Sequence, residues 1–127
     1  MTKQLKACAP IELTLDVIGG KWKPLIVYFL LKNQVMRFNE LQRAIPAASR
    51  RMLTKHLREL EAHGMVHREV YAEVPPRVEY SLTELGYTLK PLLDTMLEWG
   101  FHFLEHLPAE EANNIEVLTP EQMQADS

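Results

Sequence analysis

The chain has 127 residues, 46% hydrophobic and 24% charged, which is ordinary for a globular protein and enough for one domain with a core plus a tail. No apolar run approaches the ~20 residues that span a bilayer and no secretory signal precedes the first amphipathic stretch, so a cytoplasmic protein is expected. The single cysteine, Cys8, rules out an internal disulfide or a multi-cysteine zinc site.

The net charge of −3 hides a strong asymmetry. Residues 21–58 carry +8, with Glu40 their only acid, whereas residues 59–127 carry −11 and residues 1–20 balance. A local basic field of this kind attracts phosphate groups, while acidic surface elsewhere disfavours wrong docking.

Residues 1–9 are mixed in character and are expected to form a mobile arm that holds Cys8. Residues 10–18 read as a short amphipathic helix with Ile11, Leu15 and Ile18 on one side, ended by Gly19-Gly20. Residues 22–31 read as a strongly apolar helix, with Pro24 tolerated in its first turn. Its lack of a polar face marks it as the buried helix of the domain. Asn33-Gln34 breaks it, and residues 36–38 have room for a very short strand. Residues 39–45 form a compact predicted helix with Phe38, Leu41 and Ile45 at i, i+3 and i+7, closed by Pro46.

Residues 49–64 divide into two faces when wound at about 100° per residue. Arg50, Arg51, Thr54, Lys55 and Arg58 share an arc of roughly 140°, and Met52, Leu53, His56, Leu57 and Leu60 share the opposite one. Ser49 is placed to cap the first turn and Gly64 to end the last. Taken alone, this is either a solvated basic face or a DNA-reading one. Its neighbours favour the second reading, because only residues 46–48 separate it from the preceding helix, the spacing of a helix-turn-helix.

After Gly64 the period changes to two. Val66, Val70, Ala72 and Val74 alternate with His67, Glu69, Tyr71 and Glu73, with Arg68 interrupting the inward set. A second alternating run carries Val78, Tyr80 and Leu82. Between them Pro75-Pro76-Arg77 predicts a β-hairpin whose stiff tip carries one cation. Thr83 then caps a long final helix in which Leu85, Leu89, Leu92, Met96, Trp99 and Phe103 follow a heptad-like spacing. Leu93, Leu97 and Leu104 widen that seam beyond what a lone small domain needs, so the seam is the expected homodimer interface. Pro91 is expected to kink or split the helix near Tyr87, and Pro108 to end it. The resulting division is an arm at 1–9, a DNA-binding and dimerisation domain at 10–107, and an acidic tail at 108–127.

Helix, helix, tight turn, helix and basic-tipped hairpin is the order of an α+β, mainly α, winged helix-turn-helix. A recognition helix lies in the major groove with its N-terminal residues nearest the base edges. Those are Ser49, Arg50, Arg51, Thr54 and Lys55. Arginine pairs with guanine in bidentate fashion, and Ser or Thr reads base or phosphate. Arg58, further along, is expected on the backbone, and Arg77 on phosphate or the adjacent minor groove. Lys21, Lys23 and Arg37 are further candidate phosphate anchors, with Lys21 equally suited to a dimer edge. The expected partner is double-stranded DNA.

The residues Ile18-Gly19-Gly20-Lys21-Trp22, Arg37-Phe38-Asn39-Glu40-Leu41, Met52-Leu53-Thr54 and Leu57-Arg58-Glu59-Leu60-Glu61 occur in one order. They are followed by Gly64, Val74-Pro75-Pro76-Arg77-Val78-Glu79-Tyr80, Leu82-Thr83 and Gly86. In this the chain resembles the HxlR-type bacterial winged-helix regulators, relatives of the multiple-antibiotic-resistance regulators. The resemblance implies homodimers held by N- and C-terminal helices on pseudo-palindromic operators, with ligand- or redox-controlled repression or activation; of the two, a repressor is expected. It also implies a sensing role for a cysteine just before the first helix. The common pattern there is Cys-Pro, whereas Ala9 separates Cys8 from Pro10 here. Lys3 and Lys6 favour a reactive thiolate at Cys8, with a bystander thiol as the alternative.

His102 and His106 have an i, i+4 spacing that can ligate zinc, but no convincing set completes it, so no metal and no cofactor are expected. Trp22, Trp99, Phe101 and Phe103 are candidates either for packing or for a dimer-interface pocket that takes an aromatic effector. No nucleophile–base pair or phosphate loop points to an enzyme. Two other readings stay open: a winged-helix module that docks on an acidic protein, and a regulator whose small-molecule pocket, not an electrophile-sensing Cys8, takes the signal.

Overall fold

The computed structural model describes residues 9–115; residues 1–8, with Cys8 and nearly all of the expected arm, and residues 116–127 of the expected tail lie outside the described residues. The elements run α1 (Ala9–Ile18), α2 (Lys23–Asn33), β1 (Val35–Arg37), α3 (Phe38–Ala44), α4 (Arg50–Ala62), β2 (Val66–Tyr71) and β3 (Arg77–Leu82). Three further helices follow: α5 (Glu84–Tyr87), α6 (Lys90–Glu105) and α7 (Ala109–Ala112).

Ile26, Val27 and Leu30 of α2, Leu41 of α3, and Leu53, Leu57 and Leu60 of α4 are fully buried against one another. Each such side chain contributes about 1.5–3 kcal/mol by leaving water. Met65, Val66 and Leu82 close the core from the sheet side, and Leu93 of α6 closes it from the other. Although α2 is apolar nearly all round, only one side of it is covered: Leu25 is exposed, and Tyr28, Phe29 and Leu31 are half-buried.

The sheet is antiparallel in the order β1-β3-β2, with Val66 opposite Leu82 and Tyr71 opposite Arg77. Arg37, Met36 and Val35 of β1 pair with Glu79, Tyr80 and Ser81. The hairpin departs from the sequence expectation. Val66 is buried, but Val70 is 48% exposed, Ala72 is exposed, and Val74 is 101% exposed. Alternation there does not mark an inward face, because only the base of the hairpin meets the helices and the outer part projects beyond them. The tip, with a cis Val74–Pro75 peptide bond, carries no ladder partners.

Thr83 knots the end of the hairpin to the helices. Its N–H donates to the Met65 carbonyl (3.0 Å), its hydroxyl donates to the Gly64 carbonyl (2.6 Å), and the same oxygen accepts from the Gly86 N–H (2.9 Å). A Cβ at Gly86 would overlap the Met65 carbonyl oxygen, so the close approach admits only glycine. Helix α5 ends after Tyr87, and α6 starts with Pro91 in its first turn, which is the split that Pro91 predicts. Within the expected tail, residues 109–112 form the short helix α7, none of whose residues is buried.

Candidate nucleic-acid interface

Helix α4 is punctuated at both ends by local chemistry. The Met52 N–H donates to Ser49 Oγ (3.1 Å), which satisfies a first-turn donor that the helix itself cannot. At the far end the Met65 N–H donates to the Leu60 carbonyl (2.9 Å) and the Gly64 N–H to the Glu61 carbonyl (3.0 Å). Gly64 adopts φ +80°, so this is a glycine-terminated C-cap of the Schellman type. The buried residues Leu53, His56, Leu57 and Leu60 bolt one face to the core. Met52, grouped with that face from spacing, is instead partly exposed at its margin.

The opposite face lines a shallow open surface formed by Ser49, Arg50, Arg51, Thr54, Lys55 and Arg58. Ser49 and all four cations are exposed, and Thr54 is half-buried. The four cations differ in their tethering. The Arg50 guanidinium lies over the Phe38 ring (4.6 Å to its centroid) and reaches Asn39 Oδ1 (3.5 Å), both at the start of α3. Among the described residues, Arg51, Lys55 and Arg58 make no ion pair within 4.0 Å and no side-chain hydrogen bond.

The outlying candidates are treated differently by the fold. Arg37 is exposed at the junction of β1 and α3, where its N–H donates to Glu40 Oε1 (2.7 Å). Lys21 is exposed, with its ammonium 4.9 Å from the centroid of the Trp22 ring. Lys23, expected as a phosphate anchor, is corrected by the structure. It is 6% exposed and its Nζ lies 2.8 Å from Glu59 Oε1, because a lysine at the N-terminus of α2 opposes the helix dipole and needs a carboxylate. That hydrogen bond holds the Glu59 carboxyl below its ordinary pKa. Beside the pair, burial and the Lys23 charge push the His56 ring down from its ordinary value, and His56 Nδ1 has no hydrogen-bond partner among the described residues.

At the hairpin, Arg77 is not a free tip residue. It opens β3 with its guanidinium 4.0 Å from the centroid of the Tyr71 ring, Nη2 3.2 Å from Glu73 and Nε 3.7 Å from Glu79. The Glu79 charge in turn pushes the Tyr71 hydroxyl up in pKa. A polar notch between α4 and the hairpin brings Arg68 to Thr54, Arg58, Glu61 and Tyr80. Sequence reasoning missed Arg68, whose signal was a cation in the apolar phase of a strand. It also missed Phe38, read as a core position, and Asn39, read only as the start of a helix, both of which meet Arg50.

Apolar side chains are also exposed on α1, α5 and α6. On α1, Ile11 (65%), Leu13 and Leu15 are exposed, and only Ile18 is buried. Leu85 of α5 is exposed, as are Leu92, Met96, Trp99 (62%) and Phe103 of α6, with the Trp99 and Phe103 rings stacked at 5.3 Å. Leu89 of that seam, and Leu93 expected to widen it, instead pack in the core of their own domain. Beside the seam, Met96, Gly100, Phe103, Leu104, Leu107 and Ile115 line an apolar cavity of about 320 Å³.

Among the described residues no group of three or more His, Cys, Asp or Glu could hold a metal ion, and no helix is long and apolar enough to cross a membrane.

The comparisons with known proteins agree. A family model described as HxlR-like helix-turn-helix matches residues 17–108. The HTH-type transcriptional regulator YybR of Bacillus subtilis (strain 168) is 58% identical over 95 residues, 75% of this chain and 75% of that protein. Among solved structures, the redox regulator HypR in its reduced form is 55% identical with a TM-score of 0.72, over 77% of this chain and 99% of that chain. The reduced transcriptional regulator YodB from B. subtilis is 34% identical with a TM-score of 0.68, over 81% of this chain and 100% of that chain.

Proposed function

The chain belongs to the HxlR-like helix-turn-helix family, DNA-binding transcriptional regulators of winged-helix fold and not enzymes. From that premise we propose that it binds pseudo-palindromic operators in the cytoplasm as a homodimer, most simply as a repressor. One observation carries the DNA reading: the exposed face of α4 holds Arg50, Arg51, Lys55 and Arg58, while the one acid on its rim, Glu59, is engaged by buried Lys23. Ser49 and Thr54 supply hydroxyls between the cations. Arg37 and Lys21 extend the same field, and Arg77 serves the wing.

The homodimer is supported by the uncovered apolar residues of α1 and α6, since a surface patch of this kind marks an interaction site. Two such protomers present two recognition helices, and half-site spacing then follows from the protein two-fold.

Control through Cys8 is supported by its relatives, one of them a redox regulator solved in reduced and oxidised forms. In the proposed reaction a hypochlorite or peroxide oxidant converts the Cys8 thiolate to a sulfenic acid. That condenses with a second thiol, the partner's Cys8 or a small thiol, with loss of water. A second reading of control, an aromatic small molecule at the dimer interface, is favoured by the apolar cavity beside Phe103. Footprinting the protein on the DNA that flanks its own gene, with and without oxidant, tests the reading. Protection of a two-fold site that oxidant alters supports it, and absence of any protected site contradicts it.

A further inference from the structure

Within that DNA-reading assignment, on which this inference rests, the four cations of α4 have unequal freedom. We infer that Phe38 and Asn39 are positioning residues for Arg50, making Arg50 the principal base-reading side chain and leaving Arg51, Lys55 and Arg58 to the phosphates. The Arg50 guanidinium lies over the Phe38 ring, 4.6 Å from its centroid, while Asn39 Oδ1 accepts from its Nη1 at 3.5 Å. Phe38 is itself half-buried against the core, and Asn39 lies in the first turn of α3, so neither support is a loose surface group. Their turn is anchored by the bond from the Arg37 N–H to Glu40.

The chemistry separates the two jobs. Reading guanine requires two parallel N–H donors at fixed angles to O6 and N7, which a pre-oriented guanidinium supplies with little ordering left to do. Neutralising a phosphate needs only a nearby cation, and a mobile side chain follows the backbone of any sequence. Arg51, Lys55 and Arg58 are exposed and untethered among the described residues, as the second task requires. Arg50 also occupies the first turn of α4, the part of a recognition helix that lies nearest the base edges. Specificity on this account is a property of the α3–α4 pair, not of α4 alone.

The test compares the duplex that the wild-type protein selects from a randomised library with a scrambled duplex of equal length, at one salt concentration. The preference ratio is expected to fall about tenfold in Arg50→Lys, which keeps charge but not the fork. It should fall at least about threefold in Asn39→Ala and in Phe38→Leu, and Arg51→Ala should weaken both duplexes by similar factors. Combining Phe38→Leu with Arg50→Lys should lower the ratio no further than Arg50→Lys alone, as coupled residues do. Because Phe38→Leu touches the core, its thermal unfolding is followed in parallel, and the exposed Asn39→Ala carries the test if that variant is unfolded. A wild-type ratio in Asn39→Ala, or a ratio lost in Arg51→Ala but kept in Arg50→Lys, overturns the inference while leaving DNA binding intact. A wild-type protein that selects no duplex overturns the functional reading, and this inference with it.

Discussion

Lys23 Nζ and Glu59 Oε1 lie 2.8 Å apart, which ties the start of α2 to the recognition helix through a lysine that is 6% exposed. Removing Glu59 strands a buried ammonium, whereas replacing Lys23 by an apolar residue of similar length does not. Glu59→Ala is therefore expected to cost about 2 kcal/mol, between the values for exposed and fully buried pairs, because its own carboxylate is partly open to water. Adding Lys23→Met to that variant should recover most of the loss. Urea unfolding of the two single variants and the double variant measures this.

Acid should destabilise the fold in two stages. The His56 pKa is depressed in the folded protein, chiefly by burial and then by Lys23, so the unfolded chain takes up this proton first. Stability should be full above the unfolded histidine value of about 6.5 and decline as pH falls through it. Glu59, depressed by its hydrogen bond from Lys23, adds a second loss below the ordinary carboxylate range. His56→Leu should remove the near-neutral stage and keep the acid one, seen as urea midpoints between about pH 8 and pH 2.

The order of elements was legible because each boundary is local chemistry: Ser49 and Gly64 around α4, Pro24 and Pro91 in first turns, and Thr83 at the end of the hairpin. Which side chains are free was not, because that depends on partners distant in the chain. Lys23 looked like Lys21 until Glu59, thirty-six positions on, was found beside it. Arg77 looked like a bare tip until the hairpin register set the Tyr71 ring opposite it. Val70 and Val74 carried the correct period but had nothing to pack on, since periodicity records which residues share a face and not whether that face is covered.

Trp99 and Phe103 stack on the exposed side of α6, where a second protomer is proposed. Placing charge there should open the dimer without unfolding the domain. Trp99→Glu with Phe103→Glu is expected to raise the dimer dissociation constant at least a hundredfold, roughly 3 kcal/mol, in sedimentation equilibrium. A change smaller than about threefold would move the interface elsewhere.

Cys8→Ser should bind the selected duplex with wild-type affinity and lose the response to hypochlorite or a quinone. Titrating DNA binding before and after oxidant, in both proteins, checks it. The same oxidant response in the variant would remove Cys8 from the mechanism.

The central claim is that the exposed face of α4 engages DNA, and the salt dependence of binding tests it most directly. Fluorescence anisotropy on the selected duplex compares wild type with the Arg51→Ala, Lys55→Ala double variant across a salt series. Affinity is expected to fall at least tenfold and the slope of log K against log salt to become shallower by about two for each protomer bound. An unchanged slope and affinity, in a variant that remains folded and dimeric, would contradict the account.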